Sequence, residues 1–318
     1  MGKDTIHTEI GHFLCVVLNS RPRKYRREEV GQVKLGLLAT GVLRSRVDYG
    51  ELARWSAEHG YQAIDVPDQP ANAVDLARGA GLDPAATGGL PPLIVADPAQ
   101  REENVERALR RLDEVARQGI GIVMLGHGKV ADKSDDENFE LARLGYTPVA
   151  ERAEKLGLKL AIEHYPNYGR NLAISPATWR RLFELVPVPS LGLCIDPSHL
   201  VFLGIDYLRA VREFGSRIHY AHAKDTEIIP EGLYQYGILA GPQFGRKPVG
   251  QPGWWRYTLP GYGQVQWGAY VGALLDVGYD GILSVEHEDD LWGWRDDPDR
   301  AREGLIVARK YLTQFLPG

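Results

Sequence analysis

From Val33 to the C-terminus, short apolar runs alternate eight times with segments of helix length, and few architectures accept that pattern. The runs are VKLGLLA (33–39), AIDV (63–66), AATGGL (85–90), GIVMLG (121–126), LKLAIEH (158–164), LGLCID (191–196), RIHYAHAKD (217–225) and GILSVEHE (281–288). Most intervening segments, such as PAQREENVERALRRLDEVARQG, repeat apolar residues at i, i+3 and i+4, the spacing of a helix packed on one face. Several are expected to stop on a glycine just past the last turn: Gly60, Gly119, Gly157, Gly215 and Gly278. Strands alternating with helices imply right-handed crossovers and a parallel sheet. Eight such units predict a closed (β/α)8 TIM barrel, class α/β.

The chain has 318 residues, and no composition shift marks a second globular domain. Residues 1–31 stand outside the pattern. There an apolar stretch, HFLCVVLNS, precedes the basic RPRKYRREE, the reverse of a secretory signal. They are expected to be an appendage, either disordered or an upstream start, with the barrel at 32–318. The only cysteines are Cys15 and Cys194, so there is no disulfide framework and a cytoplasmic location is expected. A net charge of −5 argues against a nucleic-acid partner. No apolar run reaches the ~20 residues needed to span a bilayer, so no membrane partner is expected. After HAKD a long stretch precedes the next helix, and residues 226–255 are expected to form a lid over the barrel mouth.

The ends of the last four strands carry chemistry. Strand five ends on Glu163, strand six on Asp196, strand seven on His222 and strand eight on Glu286. Singly, each acid reads equally well as a helix N-cap or a salt-bridged strand end, and His222 as a satisfied core histidine. Together they lie on the C-terminal rim, where sites of this fold are built. Three carboxylates there would raise one another's pKa unless a cation neutralised them. Three oxygen donors and one imidazole suit one divalent ion, Mn²⁺ first, with Mg²⁺ or Co²⁺ as alternatives. The separations of 33, 26 and 64 residues draw each ligand from a different βα unit.

Other residues admit two readings each. His127, ending strand four, either faces the centre as a base or substrate ligand or bonds the loop backbone. Lys224 shares a face with His222 and either neutralises substrate charge or pairs with Asp225 or Glu227. Arg256, at the far end of the lid, is a further substrate-binding candidate. Tyr234, Tyr236, Trp254 and Trp255 either stack on a sugar or pack the lid down. His164 and His287 follow ligand acids, so strand alternation points them away from the interior into structural roles. Gly261 and Gly263 read as tight-turn residues, not a phosphate loop.

The motifs IEHYP, CIDPSH, HAKD, RYTLPGYGQVQW and GILSVEHED resemble the xylose isomerase-like barrel superfamily, which includes sugar isomerases, ketose 3-epimerases, inosose dehydratases and relatives of endonuclease IV. The resemblance runs from about Val33 to Phe315. It implies the metal set Glu163, Asp196, His222 and Glu286, and places at His199 the histidine that points at substrate oxygens in epimerase-like members. The activity implied is metal-dependent isomerisation or epimerisation of a carbohydrate through an enediolate, with Glu163 and Glu286 as the acid/base pair. The alternative is a lyase or dehydratase acting on a keto-sugar, inosose or 3-keto-glycoside. An endonuclease IV-like phosphodiesterase and a non-catalytic barrel subunit rank below these. A small carbohydrate is the expected partner, and the pattern leaves room for a homo-oligomer.

Overall fold

The computed structural model of the protein describes residues 33–238 and 253–317. Eight parallel strands close into a barrel: β1 (Lys34–Leu38), β2 (Ala63–Val66), β3 (Asp83–Thr87), β4 (Ile122–Met124), β5 (Lys159–Glu163), β6 (Leu191–Ile195), β7 (Ile218–Ala223) and β10 (Ile282–Glu286), the last pairing back to β1. A separate antiparallel pair, β8 (Asp225–Ile228) and β9 (Trp255–Thr258), rises from the end of β7. The expected lid is therefore anchored on an ordered ribbon, with the short helix α9 (Pro230–Tyr236) following β8. Its central part and the 1–31 appendage lie outside the described residues.

Side chains alternate across the barrel wall as the period of a strand demands. Leu35, Leu37, Ile64, Leu160, Ile162, Leu193, Ile195, Leu283 and Val285 are buried in the layer shared with the surrounding helices. The inner face is lined by smaller groups, Ala63, Ala85, Ala161 and Cys194, around the large ring of Tyr220. Cys194 is thus a small buried hydrophobe. Gly36 and Gly192 sit where a Cβ would strike Ile282 at 2.5 Å or the Arg217 carbonyl at 2.2 Å. Small residues at these points let strands and side chains close up.

Helices start where the sequence offers acceptors. Asp97 caps α4 (Pro98–Gln118), and Ser134 with Glu137 forms a capping box on α5 (Asp135–Leu156). Gly119 and Gly157 end these two helices in the left-handed conformation, with φ of 70° each. Gly215 departs from expectation: its φ is −47°, and it opens a 3-10 turn after α8 (Tyr207–Phe214). A glycine is needed there because a Cβ would meet Val277 at 2.5 Å, so close packing and not backbone handedness selects it. Among the described residues no helix is long and apolar enough to cross a membrane.

Candidate metal centre

Parallel register brings the strand ends together. Glu163 lies beside Cys194, two residues before Asp196, while Ser284 lies beside His222, two residues before Glu286. Each of Glu163, Asp196, His222 and Glu286 offers one ligand atom, and these atoms all lie within 4.8 Å of one another. His222 Nδ1 is 3.2 Å from both Glu163 Oε1 and Glu286 Oε2. Asp196 serves two purposes at once: Oδ1 accepts from Ser198 N at 2.8 Å, capping the short helix α7 (Pro197–Phe202), and Oδ2 points into the cluster. The residue caps α7 through one oxygen and faces the cluster with the other.

Among the described residues His222 Nε2 is a buried atom with no hydrogen-bond partner, and Asp196 Oδ2 has no hydrogen bond beyond its ion-pair contact with the Lys224 ammonium at 3.2 Å. Buried polar atoms without partners are rare in native proteins and call for a water, an ion or a catalytic role. Three carboxylates and one imidazole also match the donor preference of hard divalent ions. The residues present therefore fit a divalent metal.

Among the described residues Lys224 supplies the only ammonium in contact with the cluster. Its Nζ lies 2.6 Å from Glu286 Oε2, 3.2 Å from Asp196 Oδ2 and 3.2 Å from Glu288 Oε2. These partners replace the Asp225 and Glu227 considered from the sequence. Asp225 instead accepts from Trp267 Nε1, Thr226 N, Val265 N and Gly261 N, and Glu227 pairs with Arg256. Burial alone would lower the Lys224 pKa, yet Glu286, Glu288 and Asp196 hold it well above the usual lysine value. Burial raises the carboxyl of Glu163, but His222, His199 and Lys224 outweigh it and keep the group well below the ordinary range. His222 runs opposite: burial lowers it, and Cys194, Glu163 and Glu286 push it well above normal.

The surrounding side chains hold the cluster in place. His199 is buried, with Nε2 3.1 Å from Glu163 Oε1 and Nδ1 2.8 Å from the Tyr257 hydroxyl. His127 Nδ1 accepts from Ala173 N at 3.0 Å, and the Glu163 carbonyl also bonds the ring, so this imidazole serves the backbone. His164 Nε2 accepts from Asp196 N at 3.1 Å, steadying that acid from behind. His287 Nε2 meets the Trp292 carbonyl at 3.0 Å. Arg256 is held between Glu227 at 2.6 Å and Asp289 at 2.9 Å, tying the β8–β9 ribbon to the segment after β10. Trp254 and Trp255 are buried with Tyr257, Phe202 and Ile228, and Trp255 stacks on Phe202 at 4.1 Å, so these two rings pack the ribbon down.

Glu288 and Tyr257 are parts of the site that sequence reasoning passed over. Glu288 had a signal, since it stands two residues after Glu286 as Lys224 stands two after His222. Tyr257 had none, because its place depends on the β8–β9 pairing, in which it sits opposite Thr226.

Residues 53–311 match the family model for the xylose isomerase-like TIM barrel. The chain belongs to that family. Among curated relatives of this xylose isomerase-like barrel, the uncharacterized protein YfiH of Bacillus subtilis is 35% identical over 144 residues, 44% of each chain. An inosose dehydratase of Lacticaseibacillus casei is 27% identical over 206 residues, 62% of each chain. These matches thus span less than two thirds of those relatives' own lengths. Among solved structures, D-psicose 3-epimerase with D-tagatose from Clostridium cellulolyticum H10 superposes with a TM-score of 0.67 at 16% identity, covering 89% of this chain and 99% of that one. That likeness is one of fold.

Proposed function

We propose that this barrel is a divalent-metal-dependent enzyme that removes a proton next to a carbonyl of a carbohydrate, isomerising or epimerising it, with Mn²⁺ as the ion and Mg²⁺ or Co²⁺ as substitutes. The observation that carries this reading is the convergence of Glu163, Asp196, His222 and Glu286, with His222 Nε2 left without a hydrogen bond among the described residues. When bound, the ion supplies Lewis-acid polarisation of the carbonyl and offsets the negative charge that proton loss creates. Glu163 and Glu286 reach the centre from β5 and β10, on either side of His222, so one takes the proton and the other returns one to the enediolate. His199, braced by Tyr257, fixes the Glu163 carboxylate, and Lys224 holds Glu286. Single-histidine donor geometry does not suit the several-histidine trinuclear zinc site of an endonuclease IV-like hydrolase, so that reaction is not proposed.

A second reading is dehydration, in which one acid protonates a departing hydroxyl after the other has taken the carbon-bound proton. The likeness to inosose dehydratases favours it. The deciding experiment incubates ketoses, inososes and 3-keto-glycosides with the Mn²⁺-loaded protein in D2O. Deuterium next to the carbonyl of a rearranged sugar is expected. Loss of water from the substrate would select the second reading, and neither turnover nor proton exchange with Mn²⁺, Mg²⁺ or Co²⁺ would sink both.

A further inference from the structure

The mouth of the barrel has a second compartment beside the acid cluster. A cavity of about 790 Å³ is lined by Leu38, Val66, Thr87 and Met124, the last residues of β1 to β4, together with Tyr49 and Asp65. It adjoins the cluster through the barrel wall on both sides. Leu38 is the register partner of Glu286, and Met124 is the partner of Ala161, two residues before Glu163. Its floor is shared as well. Asp65 accepts from the Tyr220 hydroxyl and from Ser284 Oγ at 3.0 Å, and these residues stand two positions before His222 and Glu286.

The lining tells what it would accept. Both hydroxyls bond Asp65 Oδ1, so the second oxygen of this buried carboxylate has no hydrogen bond among the described residues. Leu38, Val66 and Met124 give one apolar stretch of a lining that also carries Asp48, Asp68 and Arg44. The volume falls in the range of pockets that enclose a drug-sized molecule, ~300–1,000 Å³, which exceeds what one sugar ring needs when its reacting carbons already lie on the acid cluster. The cavity lining carries more acid than base, with Asp48, Asp65 and Asp68 against Arg44, and Arg111 already paired to Asp68, which disfavours an anionic second ring.

Resting on the proton-transfer function proposed above, we infer that this cavity is a subsite for an uncharged second ring. The substrate is then a neutral keto-glycoside whose reacting ring lies at the four donors. Its second ring lies against Leu38 and Met124, with one hydroxyl donating to Asp65 Oδ2.

Calorimetric titration of the full chain with methyl 3-ketoglucoside, 3-ketocellobiose and the uronate of 3-ketocellobiose, each with and without Mn²⁺, tests this. The two-ring neutral probe should bind about tenfold more tightly than the one-ring probe, and the uronate about tenfold more weakly than its neutral parent. Met124→Trp, which fills the cavity, should bring the two-ring to one-ring ratio close to unity, as should the milder Leu38→Phe, and Asp65→Asn should reduce it. Mn²⁺ affinity of each variant reports that the barrel is still folded. A ratio near unity in the parent protein, no binding of either neutral probe, or a ratio that survives in both Met124→Trp and Leu38→Phe would overturn the subsite. A two-ring preference that needs no Mn²⁺ and is lost in those variants would keep the subsite and remove the metal-based function.

Discussion

Strands β5, β6, β7 and β10 end on or beside Glu163, Asp196, His222 and Glu286, whereas β1 to β4 end on Leu38, Val66, Thr87 and Met124. The units are built alike, as parallel strands with helices outside, and the rim positions are topologically equivalent. One half gathers four carboxylates, a histidine and an ammonium, and the other leaves a hollow whose strand-end residues are mostly apolar. Repeated architecture therefore does not repeat chemistry: the fold supplies eight equivalent loop bases, and side-chain choice divides them between reaction and shape.

The charged half is the easier to break. Glu163→Gln and Glu286→Gln keep side-chain shape but remove a base, and each should lower kcat by about 10²–10⁴-fold. Mn²⁺ stoichiometry should stay at one, and single-turnover rates measured at saturating metal check this. Equal, full activity in both variants would move the base elsewhere, with His199 the next residue to test. If the reaction is an elimination, the pair should separate, one variant exchanging the substrate proton without forming product.

Asp196→Asn should have the next largest effect. Its Oδ1 position can still accept from Ser198 N, so α7 keeps its cap, while the charge facing Lys224 and the cluster is lost. Mn²⁺ affinity should fall by at least about tenfold with little change in the far-ultraviolet circular dichroism. Unchanged affinity would remove Asp196 from the ligand set.

Lys224→Met sharpens the contrast between the halves by asking whether the acids need a cation. Removing the ammonium leaves Glu286, Asp196 and Glu288 facing one another in a buried place. Breaking a buried pair in this way costs about 3–5 kcal/mol, so the metal-free protein should melt earlier. Added Mn²⁺ should raise Tm more in the variant than in the parent. A variant whose metal-free Tm is unchanged would show that the acids protonate at little cost.

Much of this was legible in the sequence because strand period and loop position are local properties. The eight barrel strands overlap the apolar runs, and the four clustered side chains are metal-capable residues at or near the C-terminal ends of the last four runs. What was not legible depends on contacts between distant segments. The ion-pair partners that the sequence offers Lys224 are its chain neighbours Asp225 and Glu227, but Asp225 is taken up by Trp267 and three backbone amides of the ribbon and the next loop. Gly263 shows the same tight meeting, since a Cβ there would lie 2.2 Å from Asp225 Oδ1. The Asp65 network was invisible for the same reason: β2 meets β7 and β10 only across the barrel interior.

The smallest effect concerns His127, which stands at the boundary between the halves, in the loop after β4. Burial is the main cause that pushes its pKa down to about 4, from an ordinary value near 6.5. As pH falls through 6.5 the unfolded chain takes up a proton at this position, while the folded protein does not until about pH 4. The unfolded state binds more protons across that window, so stability declines as pH drops from 6.5 to 4 and this contribution is constant below it. The full loss is at most about 3 kcal/mol by linkage. Glutamine can still accept from Ala173 N and donate to the Glu163 carbonyl, and it does not titrate. Urea unfolding of His127→Gln at pH 7, 6, 5 and 4.5 should therefore give a flatter stability profile than the parent, with the two proteins diverging only below about pH 6.5. Parallel profiles would mean that the imidazole takes up its proton at the same pH in the folded and the unfolded chain, so that burial against the supporting backbone does not hold it neutral.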